Sequence, residues 1–418
     1  MLTGILLLLI FLLLAALMYL DKISALLAVP LMALLFALVA RVPLEYILTN
    51  ILEQGATRLS SAYLAAMLGG MLALFIKNHG IAETMVRYAA ELAGDAPLFT
   101  ALALLAVTAL LFMTLGGLGA VIMVGTITLP ILLSLGVPPV IAAGIMLIGI
   151  SMGGTMNVSN WQFFMDVLNV PKATVERFSL ILFGLYTIIG AAFCAFTLQP
   201  QKLARFWSRL DDDANRFKRP RLIALLTPVV PLFFVLACDW PIVPAFLAGL
   251  LYGLLTTWHK RSIQTFIKSL FEGVSSVAPA VILMIGIGML LNSVTHPNIA
   301  NALQPYLLAF VPNTPVLFFI VFLALAPLAL YRGPLNVWGM GSGFAVILLS
   351  TKTLSSDAIM SLLISVGALQ GACDPTNTHN AWIANYLNLE PTLILKKLLP
   401  WIWALTAGGL LVAATWFL

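Results

Sequence analysis

Charged residues are scarce in this chain of 418 residues: they make up 9% of it, whereas a soluble domain carries roughly 25%. Hydrophobic residues make up 61%. This balance excludes an ordinary water-soluble domain. Cysteine is also rare, and Cys194, Cys238 and Cys373 lie far apart in apolar or nearly apolar segments. That spacing excludes a disulfide framework and a cysteine-ligated metal site.

Long apolar runs are abundant, and each is near the length of about 20 residues that crosses a bilayer as a helix. The run at 2–20 has no basic segment before it and no small-residue cleavage site, so we expect a retained span. The net charge of +5 does not indicate nucleic-acid binding, because seven Lys/Arg are concentrated in one loop, 201–221. Such a bias orients membrane proteins, which predicts an all-α, multi-pass protein of the inner (cytoplasmic) membrane with this loop in the cytoplasm.

The sequence contains a duplication. An offset of 218 residues aligns Gly55 with Gly273, Gly70 with Gly288, and Pro97 with Pro315. Aligned glycines and prolines carry more information here than aligned apolar residues, because they mark matching structural breaks. The sequence therefore predicts an N-terminal repeat at 1–200, a cytoplasmic basic linker at 201–221 and a C-terminal repeat at 222–418.

Each half follows the same predicted order of elements. Two spans come first, then an amphipathic stretch, a third span, a glycine-interrupted pair, a broken segment and a closing span. In the first half these are 2–20, 23–41, 43–58, 61–77, 97–135, 138–171 and 178–200, and in the second half 222–238, 241–258, 259–273, 276–293, 313–350, 355–391 and 397–417. The segment 294–312 is predicted to be a loop.

The number of crossings decides how the two halves are related. If every apolar run crosses, each half has an even number of spans and the halves are parallel. If each interrupted pair is a re-entrant hairpin, each half crosses about five times and the repeats are inverted. The distribution of Lys and Arg favours inverted repeats, each with a re-entrant hairpin and a discontinuous helix.

Polar residues interrupt both broken segments, as "GGTMNVSN" at 153–160 and "GACDPTNTHN" at 371–380. Non-helical polar backbone at membrane depth persists only inside protein or beside a water-filled cavity. The breaks also expose helix ends, whose N–H groups favour anions and whose carbonyls favour cations. We therefore predict a site at the repeat interface near the membrane midplane.

Arg332 at the second hairpin break is the main candidate for substrate binding, because a guanidinium forms paired hydrogen bonds with a carboxylate. The alternative is a structural arginine that pairs with Asp374. The further substrate-binding candidates are glycine, hydroxyl and amide residues at the breaks: Asn336, Gly117, Gly119, Asn157, Ser159, Asn160, Thr376, Asn377 and Thr378.

Ionisable groups in the second break are candidates for coupling. Asp374 aligns with Thr155 of the first half, and His379 aligns with Asn160. A carboxylate inside the membrane is a candidate proton carrier or cation ligand, so Asp374, His379 and Thr155 form the predicted coupling-ion set. A sodium ion is predicted at Asn157, Asp374 and Asn377. The alternatives are a helix cap for Asp374, before Pro375, and a neutral packing histidine for His379.

The architecture and its motifs resemble the ion transporter superfamily, which includes citrate, gluconate and C4-dicarboxylate carriers and some Na⁺/H⁺ antiporters. "NVSN" at 157–160 and "TNTHN" at 376–380 resemble motifs of its dicarboxylate branch, and "RGPLN" at 332–336 resembles a hairpin tip of its citrate and gluconate branch. The resemblance implies transport of organic anions with Na⁺ or H⁺, an elevator motion and a homodimer.

The sequence thus predicts a secondary active transporter that couples a small organic carboxylate to H⁺ or Na⁺ across the lipid bilayer. The alternative is a Na⁺/H⁺ antiporter in which Asp374 exchanges the ions and Arg332 is structural. An enzyme is not expected, since no acid–base or metal constellation is present, and neither a cofactor nor nucleic acid is expected as a ligand. A channel is the remaining alternative, which saturable and ion-dependent flux would exclude.

Overall fold

The computed structural model describes residues 2–20, 22–94, 96–198, 220–259, 262–308, 312, 314–338, 341–351 and 354–418, and they are helical throughout apart from short connections. The predicted linker at 201–221 lies almost wholly outside the described residues.

Both halves of the described chain have the same order of helices. The first half contains α1 Leu2–Tyr19, α2 Ala25–Val39, α3 Leu44–Asn78, α4 Ile81–Ala93, α5 Pro97–Phe112, α6 Gly117–Ser134, α7 Pro139–Thr155, α8 Val158–Leu168 and α9 Lys172–Thr197. The second half contains α10 Val230–Ala237, α11 Ile242–Thr256, α12 Ser262–Val294, α13 Pro297–Leu308, α14 Pro315–Leu325, α15 Gly341–Thr351, α16 Ser356–Cys373, α17 Thr378–Tyr386 and α18 Pro391–Trp416. Each helix therefore has a counterpart nine helices later, which supports the duplication.

Apolar composition and helix length make the chain a polytopic membrane protein. Six helical segments of the described chain are long and apolar enough to cross a membrane, and the bent pair α7–α8 raises the number to seven. Several shorter apolar helices accompany them. Many large apolar side chains on these helices are exposed, as expected for surfaces that contact lipid rather than water.

The crossing of α3 and α12 supports inverted repeats. Gly55 of α3 lies against Gly288 and Met289 of α12, whereas Gly70 of α3 lies against Gly273. Residue numbers therefore run in opposite directions along the contact, so these two equivalent helices are antiparallel. Equivalent helices of parallel repeats would run the same way and would pair Gly55 with Gly273. The two-fold relation thus lies across the helix axes, as inverted repeats require.

Two predicted boundaries were wrong. The amphipathic stretches were expected to be separate from the third spans, yet each continues into its span, giving α3 with 35 residues and α12 with 33. Helix α3 contains a π-helical segment, Ile47–Gln54, within its amphipathic part, and α12 contains Pro279 in its interior. The segment 294–312, predicted to be a loop, contains helix α13.

The helices pack into two groups that both halves of the sequence supply. A central group contains α1–α3 and α10–α12, with α3 packed on α12 and α11, and α2 packed on α12. A hairpin group contains α5–α9 and α14–α18, with α5 packed on α7, α16 on α18, and α7 on α16. Helix α8 contacts α3 and so joins the groups beside the first break. The boundaries of the sequence repeats therefore do not coincide with the packing units.

Candidate functional site

A cavity of about 570 Å³ lies where the two broken helices and the two hairpin tips meet. The first break contributes Gly154, Thr155, Asn160 and Trp161, and the second contributes Gln370, Gly371, Asn377, Thr378 and His379. The hairpin tips contribute Gly117 from one half and Arg332, Asn336, Val337 and Trp338 from the other. Both repeats therefore build the cavity, and its size suits a small organic molecule.

Asn157 fastens the first break to the first hairpin tip. Its side-chain oxygen accepts the N–H of Ser159 at 3.0 Å and so caps α8, while its amide donates to the carbonyls of Phe112 at 2.9 Å and Leu115 at 3.0 Å. Those carbonyls belong to the end of α5 and the tip, which lack helical partners. Asn157 is buried, and it holds the tip in place rather than lining the cavity.

Asp374 links the second break to the second tip, because its carboxyl accepts hydrogen bonds from residues of both. One carboxyl oxygen accepts the N–H of Tyr331 at 3.1 Å and both the N–H and the hydroxyl of Thr376, at 2.9 and 2.7 Å. The other oxygen accepts the N–H of Arg332 and the side-chain amide of Asn336, each at 3.3 Å. The residue is fully buried.

The tip that Asp374 holds has a strained backbone. Tyr331 and Arg332 have φ of 53° and 55°, in the left-handed region that side chains other than glycine rarely occupy. Two consecutive residues of this kind cost roughly 1–3 kcal/mol each. Their N–H groups both point at the Asp374 carboxyl, which offsets that cost. Asp374 therefore shapes the turn that presents Arg332.

Arg332 is an exposed residue that lines the cavity. Its backbone N–H, and not its guanidinium, bonds Asp374, which removes the basis for the predicted alternative of an Arg332–Asp374 ion pair. Among the described residues, no carboxylate lies within ion-pair distance of the guanidinium. Arg332 is also the only Lys, Arg, Asp or Glu among the described residues that line the cavity. The described lining of the cavity thus contains one fixed positive charge, and no described carboxylate pairs with it.

Three side chains at the breaks bond the carbonyls freed there. The Asn160 amide donates to Gly154 at 3.0 Å, the Asn377 amide donates to Gln370 at 2.6 Å, and Nε2 of His379 donates to the Gly371 carbonyl at 2.9 Å. These bonds fix the direction of each side chain. The side-chain oxygens of Asn160 and Asn377 have no donor among the described residues, and both residues line the cavity.

Eight of the predicted site residues line the cavity together. They are Gly117, Thr155, Asn160, Arg332, Asn336, Asn377, Thr378 and His379. Gly119, Asn157, Ser159, Asp374 and Thr376 are not among its described lining residues. Ser159 donates to the Ala65 carbonyl at 3.1 Å and so binds α8 to α3, while Thr376 bonds Asp374.

The predicted sodium site stays a prediction. Both Asp374 oxygens already accept hydrogen bonds, and the Asn157 oxygen accepts the N–H of Ser159. The Asn377 oxygen alone, of the oxygens on the three predicted side chains, has no donor among the described residues. A cation bound at all three residues would have to displace donors at two of them.

Sequence reasoning missed several residues that line the cavity. Ser151 on α7 and Tyr186 on α9 come from ordinary apolar runs, and Gln370 directly precedes the second polar segment. For Ser151 a signal was present, since it lies one helical turn before Thr155 and hence on the same face. For Tyr186 no local signal exists, because only the packing of α9 on α7 brings it to the cavity.

Comparison with known proteins rests on structure, since the sequence matches no family model and no curated protein. The fold is similar to that of the Alcanivorax borkumensis YdaH transporter, with 13% identity, coverage of 89% of this chain and 88% of that chain, and a TM-score of 0.61. It is also similar to Neisseria gonorrhoeae MtrF, described with a class of antimetabolite efflux pumps, with 14% identity, coverage of 90% and 84%, and a TM-score of 0.64. The chain therefore has a fold that two membrane transporters share, and the narrower resemblance to the ion transporter superfamily stays a prediction.

Proposed function

We propose that the protein is a secondary active transporter that moves a small organic carboxylate coupled to H⁺ or Na⁺. The observation that carries this proposal is Arg332, which lines a cavity between both helix breaks and whose guanidinium has no counter-ion among the described residues. A lone cation in a largely apolar cavity gains most by binding an anion, and a planar carboxylate matches the two-pronged geometry of guanidinium.

Two helix N-termini support an anionic substrate. Helix α6 begins at Gly117 and α17 begins at Thr378, and both of these residues line the cavity. Neither helix has a side-chain cap at its N-terminus, so the first-turn N–H groups have no local side-chain acceptor. Together they add partial positive charge to that of Arg332. Asn160 and Asn377 supply further hydrogen-bonding groups at the wall.

The coupling ion is proposed to act through the second tip. Asp374 receives the N–H groups that shape this tip, so a proton or a cation that engaged its carboxyl would alter how Arg332 is held. His379 lines the cavity, and its bond from Nε2 leaves Nδ1 to change protonation state. Thr155 at the matching position of the first half has no charge and completes the predicted set.

Alternating access is proposed to follow an elevator motion of the hairpin group against the central group. The cavity lies mainly in the hairpin group, with Ser24, Ala25, Leu26, Pro279, Ala280 and Leu283 of the central group closing one side. Similarity to an efflux pump favours export as the direction, so transport is to be measured in both directions.

The test is carboxylate flux in proteoliposomes that contain the purified protein, with mono-, di- and tricarboxylates, with and without Na⁺, at two pH values. We expect saturable flux of one acid class that Arg332→Ala lowers at least tenfold, as loss of a charged hydrogen bond worth about 1.5–3 kcal/mol predicts. Arg87→Ala is the control, because Arg87 pairs with Glu83 on α4 away from the cavity. Absence of carboxylate flux together with Na⁺ movement driven by a pH gradient would replace this proposal with the antiporter.

A further inference from the structure

A carboxylate of the hairpin group caps a helix of the central group. Helix α3 contains a turn at 58–59, and its second part begins at Ser60 with no side-chain cap of its own. The N–H of Ala62 lies in the first turn after this restart, where a helix leaves its donors without helical partners. It donates to a carboxyl oxygen of Asp166 on α8 at 2.9 Å. This cap therefore connects the two helix groups through a group that can take up a proton.

The Asp166 carboxyl accepts two hydrogen bonds and has no described counter-ion. Its other oxygen accepts the side-chain amide of Gln162, one turn earlier on α8, at 2.8 Å. Within the described parts of the chain, no Lys, Arg or His lies at ion-pair distance from it. Asp166 is only half-buried, so protons can reach it from water. Both bonds are charge-assisted while the carboxyl is ionised, and a proton on it weakens them.

Few titratable groups act on Asp166 from the helices that pack on α8, which are α3, α9, α11, α15 and α16. From α3, Tyr63 interacts with the carboxyl, while the Tyr63 hydroxyl donates to the Ala56 carbonyl. From α9, Lys172 pairs instead with Asp239 of the central group. No described group of α11, α15 or α16 forms a hydrogen bond or an ion pair with Asp166. Its protonation thus acts mainly on the contact with α3.

The second half of the chain has no equivalent of this contact among its described residues. Asn385 on α17 aligns with Asp166, and an amide does not titrate. Helix α17 packs mainly on α6, α7 and α18, all of which belong to the hairpin group. The titratable contact between the two groups is therefore a feature of the first half.

We propose that Asp166 is a proton-binding site that controls whether the hairpin group is docked on the central group. The ionised carboxylate accepts the N–H of Ala62 and keeps α8 on α3. When the carboxylate takes one proton from water, its charge is lost, the cap weakens and α8 can slide along α3. This inference rests on the proposed function and deepens it, because it names H⁺ as the coupling ion. Asp374 shapes the turn that presents Arg332, whereas Asp166 controls the contact between the groups.

The test measures docking as the rate of disulfide formation across the contact, in proteoliposomes between pH 4.5 and pH 8. Gly69 of α3 lies against Ser159 of α8, so Gly69→Cys with Ser159→Cys, without the native cysteines, crosslinks on oxidation while the groups are docked. Gly409→Cys with Ser365→Cys joins two helices of the hairpin group and is the reference pair. Thiol oxidation depends on pH in both pairs, so the ratio of the two rates reports docking.

We expect the ratio to fall about threefold or more as the pH drops, because protonation removes a charge-assisted hydrogen bond. Asp166→Asn should give a ratio that is constant with pH, and Asp166→Glu should restore the pH dependence. Glu176→Gln is the control and should keep it, since Glu176 on α9 has no hydrogen bond or ion pair with the described residues.

Transport provides a second measurement. A pH gradient should increase carboxylate flux through the protein with Asp166 intact. In Asp166→Asn we expect this increase to disappear, while exchange of labelled for unlabelled acid across the membrane continues. A residue with only a structural role would lower both activities together.

The two proposals fail in different ways. A ratio that stays constant with pH while Asp166 is intact, or one that changes equally in Asp166→Asn, would overturn the proton site even if carboxylate flux is present. The measurement with Asp166 intact needs no substitution there, so it decides the matter even if Asp166→Asn does not fold. Absence of carboxylate flux, together with a pH-dependent ratio that Asp166→Asn removes, would overturn the carboxylate function and leave the proton site standing.

Discussion

Asp374 is the residue on which the second hairpin tip depends. Five hydrogen bonds from Tyr331, Arg332, Asn336 and Thr376 converge on its carboxyl, and two of them hold residues with left-handed backbone. We predict that Asp374→Asn lowers stability by about 2–4 kcal/mol, because an amide nitrogen would face donors where an oxygen now accepts. Asp374→Ala is expected to lower it further.

The measurement for Asp374 is the thermal unfolding midpoint of the purified protein in detergent. Asp357→Asn is the control, since it removes an acidic group in the first turn of the same helix, α16, where Asp357 has no hydrogen bond to the described residues. An unfolding midpoint in Asp374→Asn no lower than in the control would show that the carboxyl does not hold the tip. Normally coupled transport by Asp374→Asn would likewise remove Asp374 from the coupling set.

His79 couples the stability of the protein to pH. It follows the last turn of α3, where one ring nitrogen bonds the Phe75 carbonyl at 2.9 Å and Nε2 is buried without a partner among the described residues. Burial lowers the pKa of His79, and the nearby His259 ring lowers it further, although the bond to Phe75 opposes both effects. The unfolded chain therefore takes up this proton before the folded protein does. The contribution of His79 to the free energy of unfolding is complete above the ordinary histidine pKa of about 6.5. It falls as the pH drops from there towards the lower pKa that His79 has in the folded protein.

The corresponding experiment compares unfolding midpoints between pH 5 and pH 8 for the unmodified protein and for His79→Gln. We expect the variant to lose less stability than the unmodified protein on acidification, so that the difference between the two midpoints changes with pH. His296→Gln, just after the matching helix α12, is the control and should keep the steeper pH dependence. Parallel curves for His79→Gln and the unmodified protein would contradict the prediction.

At the scale of single helices, glycine contacts set how closely α3 and α12 approach. A Cβ on Gly273 would overlap the backbone Cα of Met71, and a Cβ on Gly55 would lie 2.8 Å from Cα of Met289. Both obstacles are backbone, which cannot rotate away. We predict that Gly273→Ala or Gly55→Ala lowers stability by about 1–3 kcal/mol through overpacking. The measurement is again the unfolding midpoint in detergent.

Gly184 provides the matched control for these substitutions. It lies within helix α9, and a Cβ there would meet nothing within 4 Å. Gly184→Ala should be neutral or slightly stabilising, since alanine favours helix over glycine by about 1 kcal/mol. Equal midpoints for the Gly273 and Gly184 variants would mean that α3 and α12 are not in close contact.

The ends of helices could be predicted from the sequence where local glycine or polar residues interrupt an apolar run. Glycine and polar residues at 115–120, 153–160 and 371–380 marked real ends of helices. The aligned glycines were predicted to mark structural breaks, which was wrong for Gly55, Gly70, Gly273 and Gly288: they lie inside α3 and α12, where these two helices cross. Segments without such breakers were harder to divide. Nothing local stops the helix between the amphipathic stretch and the third span, so two predicted elements became one.

The candidate site was predictable only in part, for the same reason. Arg332, Asn160, Asn377 and His379 carry polarity into apolar runs, and that contrast is visible in sequence. The acceptor role of Asp374 towards a turn some 40 residues earlier in the chain depends on tertiary packing. Tyr186 was missed because a tyrosine in a membrane helix gives no sign of whether its hydroxyl has a partner.

At the scale of the whole molecule, the two helix groups touch at contacts that an elevator motion must break. Ser159 of α8 donates to the Ala65 carbonyl of α3, and Asp166 of α8 accepts the N–H of Ala62 at 2.9 Å. These bonds cross from the hairpin group to the central group at the first break. If the hairpin group moves during transport, α8 must slide along α3 and exchange these partners.

A disulfide between the two groups tests this motion directly. A Cβ on Gly69 would lie 2.8 Å from the Ser159 hydroxyl oxygen, close to the separation of a Cβ from the opposite sulfur in a disulfide. We predict that Gly69→Cys with Ser159→Cys, with the three native cysteines replaced, crosslinks on oxidation and loses at least 90% of its flux, and that a reducing agent restores it. The measurement is proteoliposome flux before and after oxidation.

A second cysteine pair separates restraint of motion from the chemistry of crosslinking. A Cβ on Gly409 of α18 would lie 2.6 Å from the Ser365 hydroxyl oxygen on α16, which is a comparable distance. Both of these residues belong to the hairpin group. Gly409→Cys with Ser365→Cys should therefore crosslink and continue to transport, because the two helices move together. Undiminished flux through the crosslinked Gly69–Ser159 pair would mean that α8 and α3 stay in register during transport. Access would then have to alternate by movement of the hairpin tips alone, with Asp374 and its tip as the moving part.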